Sequence, residues 1–326
     1  MPDKTSAAAE PDPIDEGGNQ TKYSELMCSK DNPYASFAIS GDEVFIKRLR
    51  ERGFRGTIHS IFDRTVNIKC DFTRDLYTVA SRKTDNAPHT IVADIDSCAG
   101  RGLAIGDPVI LTDGQLLLGP KLAVSVEQAA VWRCALPAYP TADEPLRSNL
   151  AEAVKEIGSR GRGGGTIRSA DAGSIEIETA RLLNERTADL LRELSQVRME
   201  KAFSYAIRLI GLGPGLTPSG DDFLTGLFAA MNLPKSPLYS RRFWCRDVEA
   251  AAASMTNEIS CMAMKKAAIG QVRESIVDLA HSLIHGSRDG MLSSLSAVLD
   301  IGSSSGSDIA LGLAKGLELN LKLSRR

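Results

Sequence analysis

The apolar residues of this chain change rhythm once, at a run of prolines. Upstream, five runs carry Val, Ile and Thr between turn formers: 56–70 ("GTIHSIFDRTVNIKC"), 75–81, 89–95, 108–119 and 121–134. Such runs read as strands. In the fourth, Asp113-Gly114 separates two apolar segments, the strongest short-range hairpin signal. Downstream, residues 146–158, 174–210, 219–232, 239–269, 271–285 and 289–300 are rich in Ala, Leu, Glu, Lys and Arg at helical spacing. Between the two regimes, "CALPAYPTADEP" (134–145) holds three prolines and reads as a linker. Strands first and helices second define an α+β chain. The expectation is a small antiparallel β-sheet or barrel over 36–140, followed by an all-helical portion over 141–326. Residues 1–35, rich in Pro, Gly, Ala and acids, read as a disordered leader.

Composition excludes several classes of function. A net charge of -2 offers no basic footprint for nucleic acid or an anionic membrane, and aromatics at 5% leave little for base stacking. The six cysteines lie far apart, with neither C-x-x-C pairs nor zinc-ligand spacing, which suits a reducing compartment. No apolar core of a signal peptide opens the chain, and no apolar run reaches the roughly 18 residues of a membrane span. A cytoplasmic protein is expected. His281 and His285 have the i,i+4 spacing that can hold zinc, but no third ligand follows, so an ordinary surface pair is the simpler reading. His59 and His89 have no evident role. Arg160 and Arg162 in "GSRGRGGGT" (158–166) could grip phosphate; a flexible connector is the simpler reading. Arg241 and Arg242 suit the opening of a solvated helix.

The most concentrated signal is "GLGPGLTPSGDDFLTG" (211–226), with five glycines and two prolines. Gly211 can end the preceding helix in a left-handed conformation. Ser219 then suits an N-cap with Asp222 at N3, and Asp221 and Asp222 both fall in the first turn, where the helix dipole favours negative charge. Capping alone does not require so many glycines. Gly211, Gly213, Gly215 and Gly220 imply positive φ or close backbone approach. The segment lacks a Walker A lysine, and a helix rather than a strand precedes it, which excludes a Rossmann fingerprint.

The pattern recurs. "TPSGDDFLTG" (217–226) aligns without gaps with "SSSGSDIALG" (303–312). Ser219 matches Ser305, Gly220 matches Gly306, Asp222 matches Asp308, and Gly226 matches Gly312; each copy follows an Ile-Gly step. The first copy carries five extra residues, "LGPGL". Two such helix starts could face each other across a pseudo-two-fold, with Gly226 and Gly312 permitting close packing. Backbone N–H groups at paired helix starts suit an anion. The carboxylates of Asp221, Asp222 and Asp308 could instead accept from an amide or carbamoyl NH2, act as a general base or hold Mg2+. A ligand with an anionic end and a carbamoyl end would satisfy both sets.

These two motifs, with the β-rich stretches "GTIHSIFDRTVNIKC" and "AVSVEQAAVWRCALP", resemble the AllH family over roughly residues 40 to 320. The resemblance implies one subunit of an oxamate carbamoyltransferase of anaerobic purine and allantoin breakdown, acting with two other subunits. The implied reaction converts oxalurate and phosphate to oxamate and carbamoyl phosphate. It also singles out a Thr and a Ser opening a helix between the motifs, here Thr256 and Ser260. On this reading Asp222 and Asp308 orient amide groups or assist proton transfer, and Asp221 is the most available for direct catalysis or Mg2+. Thr217, Ser219, Ser305 and Ser307 add hydroxyls, and Gly213, Gly215, Gly220 and Gly306 add N–H groups. Two alternatives stay open: a non-catalytic scaffold or small-molecule-binding subunit, and a Mg2+-dependent phosphotransferase.

Overall fold

The computed structural model describes residues 35–167 and 173–325. The expected leader therefore lies outside the described residues except for Ala35. Among the described residues nine strands come first: β1 (Ala35–Asp42), β2 (Arg55–Ile61), β3 (Thr65–Cys70), β4 (Leu76–Ser81), β5 (Thr90–Ala93), β6 (Pro108–Thr112), β7 (Gln115–Leu118), β8 (Leu122–Ser125) and β9 (Ala130–Trp132). Strands β1 to β8 close into a barrel in the order β1-β5-β4-β3-β2-β6-β7-β8, with β9 added beside β1. Closure depends on β1. Ala35–Phe37 pairs with β8 in parallel, Ala38–Gly41 pairs with β5 antiparallel through an irregularity near Ser40, and Ser40–Asp42 pairs with β9. A closed ring leaves no long edge for another chain to extend.

The chain is α+β, as the segregation of its rhythms predicts, and the structure corrects four details. The 56–70 run is a hairpin, β2–β3, rather than one strand. The β1 strand was not expected at all. The pairing is mixed, since β4–β5, β1–β8 and β1–β9 are parallel. A helix, α1 (Glu43–Arg52), interrupts the strands and buries Phe45, Ile46 and Leu49 in the barrel core. The Asp113-Gly114 turn joins β6 to β7 with φ of 46° and 72°, the left-handed pair that suits the strand twist.

The helices are α2 (Leu146–Arg160), α3 (Ser174–Ser195), α4 (Met199–Ile207), α5 (Ser219–Met231), α6 (Phe243–Ala252), α7 (Glu258–Ala267), α8 (Glu274–His285), α9 (Arg288–Leu299) and α10 (Ser305–Leu323). Two expected helices are broken. The 174–210 run parts at Val197, whose φ is 57°, and the 239–269 run becomes a 3-10 turn, α6 and α7. Periodicity alone could not locate these breaks, because the apolar spacing continues across them. At the second, Asn257 caps α7 by accepting from the N–H groups of Ile259 and Ser260, both at 3.1 Å.

Helices α5 and α10 form the centre of the helical portion. Every residue of α5 is buried. A Cβ on Gly226 would collide with the carbonyl of Ile309, and one on Gly312 with the carbonyl of Phe223. Phe223 and Ile309 are themselves equivalent in the two sequence copies, so the helices cross about a local two-fold. Backbone packed against backbone at that crossing fixes the relative position of the two helix starts.

Candidate functional site

The two glycine-bearing segments meet. Thr217 Oγ1 and Ser305 Oγ are hydrogen bonded at 2.8 Å, although 88 residues separate them in sequence. That pair of hydroxyls flanks the Asp222 carboxylate. Reciprocally, the Ser219 hydroxyl stands beside Asp308. Each copy therefore presents its serine to the other copy's aspartate, as the crossing two-fold dictates.

The serines do not cap. Helix α5 begins at Ser219, after Pro218, whose carbonyl accepts the N–H groups of Asp221 and Asp222 at 2.9 and 3.1 Å. Helix α10 begins at Ser305, after Ser304, and neither start has a side-chain cap bond. Proline supplies the entry geometry of α5, which releases Ser219 Oγ from capping. The glycines divide by role. Gly211, Gly213 and Gly215 have φ of 72°, 115° and 98°, a region costly to other residues. Gly220 and Gly306 are helical, and each backs onto a carbonyl, of Leu209 and Val298 respectively. Their N–H groups are spent on Leu212 and Ile301 at 2.9 and 3.0 Å, so neither is open to an anion.

Asp221 stands apart from the other two acids. Its Oδ1 accepts the Gly211 N–H at 2.8 Å, and its Oδ2 accepts from Thr256 and Ser260 at 2.5 and 2.6 Å. Both oxygens are occupied and the residue is fully buried. Thr256 and Ser260 thus tie α7 and the turn before it to the start of α5. The sequence offers Asp221 as the acid most available for chemistry or Mg2+; in the fold both of its oxygens accept hydrogen bonds. Among the described residues, no three His, Cys, Asp or Glu side chains are grouped to hold a metal ion. That includes His281 and His285, whose rings lie 5.1 Å apart.

Asp222 and Asp308 have opposite character. Asp222 Oδ2, Asp308 Oδ2 and Ser219 Oγ are buried without hydrogen-bond partners. A buried polar atom left unpaired costs roughly 1–3 kcal/mol. Burial pushes Asp222 well above the usual carboxylate range and the charge of Asp308 adds to the rise, while the hydroxyls of Ser305 and Thr217 oppose it. Burial raises Asp308 as well, opposed by the hydroxyl and N–H of Thr166 and by Ser219.

The segment over this pair is the glycine-rich stretch expected to be a connector. Residues 161–167 are tied down instead. Arg162 bonds the Gly302 carbonyl at 2.9 Å and Asp300 at 2.6 Å, and its N–H donates to Ser307 Oγ at 2.7 Å. Arg160 reaches Ser296 at 2.9 Å. The guanidinium of Arg162 is thus turned to the surface of the second helix start. Thr166 donates both its N–H and its hydroxyl to Asp308 Oδ1, at 3.0 and 2.5 Å. Gly165 lies so close that a Cβ there would collide with the Asp308 carboxylate and the Ser219 hydroxyl. Sequence reasoning missed Gly165 and Thr166. The signal was present in three adjacent glycines, but Asp308 lies 142 residues beyond Thr166.

The fold and this arrangement define a barrel-plus-helices protein with a buried pair of acids at two related helix starts. A family model described as oxamate carbamoyltransferase subunit AllH matches residues 209–317, and one described as the AllH family N-terminal domain matches residues 37–131. The chain belongs to the AllH family. No solved structure matches it.

Proposed function

We propose that this chain is the subunit of a carbamoyltransferase that binds a small ligand bearing both a carboxylate and a carbamoyl group, with Asp222, Asp308 and Ser219 as the groups that contact it. The carrying observation is the cluster of three buried polar atoms without partners, one from each acid and one from the serine. A ligand amide both donates and accepts, so it would satisfy such a set. The family name supports a transferase subunit. The reaction proposed is oxalurate plus phosphate to oxamate plus carbamoyl phosphate, in the cytoplasm, with two companion subunits. Asp222 and Asp308 orient the amide and assist proton transfer. Thr217, Ser305 and Ser307 shape the surroundings, and the Gly213–Gly215 turn lies toward solvent beside them.

A second reading, a ligand-binding subunit without chemistry of its own, draws on one observation: Asp222 is 4% and Asp308 1% exposed. A Mg2+-dependent phosphotransferase would need Asp221 released from its three hydrogen-bond donors.

Calorimetry of the full chain with oxamate and with oxalurate, followed by turnover measurements with the companion subunits co-expressed, tests the proposal. Binding and turnover are expected for the wild type. Asp222→Asn and Asp308→Asn should each lose at least tenfold in both, with circular dichroism unchanged. Full activity in both variants would reject the assignment. Binding without any turnover would select the second reading.

A further inference from the structure

The local two-fold makes Asp222 and Asp308 equivalent, and one contact breaks that equivalence. Thr166 belongs to neither motif copy, yet it places two hydrogens on a single oxygen of Asp308, leaving Oδ2 of the same carboxyl free. Asp222 receives no comparable pair. It has the Thr217 and Ser305 hydroxyls beside it, but one of their two hydrogens is used between them, which leaves a single hydroxyl hydrogen for the carboxyl. The charges acting on Asp222 are both negative, Asp308 on α10 and Asp221 beside it in α5. Arg162 of the overlying segment turns its guanidinium away, to Asp300 and Gly302. No cation among these neighbours compensates two buried carboxylates, a setting that favours a proton retained by the pair.

We propose that Thr166 is a positioning residue that holds Asp308 as the ionised acceptor and leaves the proton on Asp222. Two donors on one carboxylate oxygen favour its charged form. Two buried carboxylates that repel each other do not both ionise readily. The result is a neutral acid O–H at one helix start and a carboxylate at the other, the donor and acceptor that a carbamoyl group requires: Asp222 for its C=O and Asp308 Oδ2 for its NH2. Gly165 belongs to the same device, since only a residue without a side chain lets Thr166 reach Asp308 past Ser219. The carbamoyl part of this inference rests on the function proposed above; the location of the proton does not.

The test is infrared spectroscopy of the full chain labelled with 13C at aspartate carboxyls, recorded at pH 7 as differences between wild type and variants. The expected spectrum contains a protonated carboxyl signal that Asp222→Asn removes and Asp308→Asn retains. Thr166→Val should spread the proton over both acids, so that part of the signal is then lost in each Asn variant. It should also weaken oxamate binding roughly tenfold, the scale of one hydrogen bond to a charged group. Thr166→Ser, which keeps the hydroxyl, should restore both readouts, and a merely structural role for Thr166 would leave the infrared pattern unmoved. Absence of the protonated signal, or its loss in Asp308→Asn alone, overturns the proposal. If the infrared pattern holds and neither oxamate nor oxalurate binds, the proton assignment stands and the functional reading falls.

Discussion

At the scale of single residues, the three acids of the motifs have separated into one whose oxygens are both bonded and two that each keep an unpartnered buried oxygen. Asp221 is satisfied by Gly211, Thr256 and Ser260, so Asp221→Ala would leave the buried Ser260 hydroxyl, the half-buried Thr256 hydroxyl and the Gly211 N–H without their acceptor. A loss of about 1–3 kcal/mol is expected in urea unfolding, chiefly from the orphaned Ser260 hydroxyl, since the other two groups can turn to water. Asp222 behaves in the opposite sense. Its carboxyl is raised in the folded state, so the unfolded chain ionises first as pH climbs above the ordinary aspartate value of 3.8, and native stability falls until the folded group ionises too. Asp222→Asn, which carries no charge, should therefore be at least as stable as wild type at pH 7 and lose this dependence. Thermal melts of both proteins between pH 4 and 8 check the sign. A variant that loses ligand binding while gaining stability would mark Asp222 as a residue kept for function.

At the scale of elements, the α5–α10 crossing sets the geometry of the site. Gly226 and Gly312 lie about two turns inside their helices, where glycine costs roughly 1 kcal/mol relative to alanine by intrinsic propensity. Packing reverses that preference, because an added methyl at either position meets the partner's backbone rather than a flexible side chain. Gly312→Ala should destabilise by about 1–3 kcal/mol or more, with the helices forced apart. Since the crossing sets the Thr217–Ser305 distance of 2.8 Å, ligand affinity should fall along with the melting temperature. An equal substitution at Gly158, which has open space around its Cα, is the control and should be neutral or slightly stabilising.

At the scale of the whole molecule, polar contacts join the barrel to the helices. Lys69 pairs with Glu258 and Lys265 with Asp75, each at 2.5 Å, Arg273 pairs with Asp85, and Asn86 meets Glu274 at 2.9 Å. At the centre of this set His89, itself at φ 54°, stacks on Tyr77, and its Nε2 lies 2.6 Å from Lys266 Nζ. The imidazole accepts from the ammonium only when neutral, and burial with the Lys266 charge depresses its pKa to about 4. For a base depressed on folding, the unfolded state takes up its proton first, near 6.5. Stability is therefore complete above 6.5 and lost as pH falls toward 4, by about 3 kcal/mol at 1.36 kcal/mol per pKa unit. His89→Gln should flatten the acid limb of a stability-versus-pH curve between 6.5 and 4. A limb of unchanged steepness would mean that other groups carry it. Among the described residues no helix is long and apolar enough to cross a membrane.

The change from strand to helix rhythm, the Asp113-Gly114 hairpin and the repeated Ser-Gly-x-Asp helix starts were legible in the linear sequence. Each depends on interactions within a few residues: alternation, helical spacing, and the backbone freedom of glycine. Barrel closure by β1, the helix breaks at Val197 and Asn257, the occupation of Asp221 and the hold of Thr166 on Asp308 were not. These depend on partners far along the chain, and no local pattern encodes which distant donor will reach a given carboxylate. The sequence by itself determined that two acidic helix starts exist and are alike. Only the tertiary structure decided that they converge, and that a loop from outside both copies makes them unequal, because burial and hydrogen bonding are properties of the packed chain.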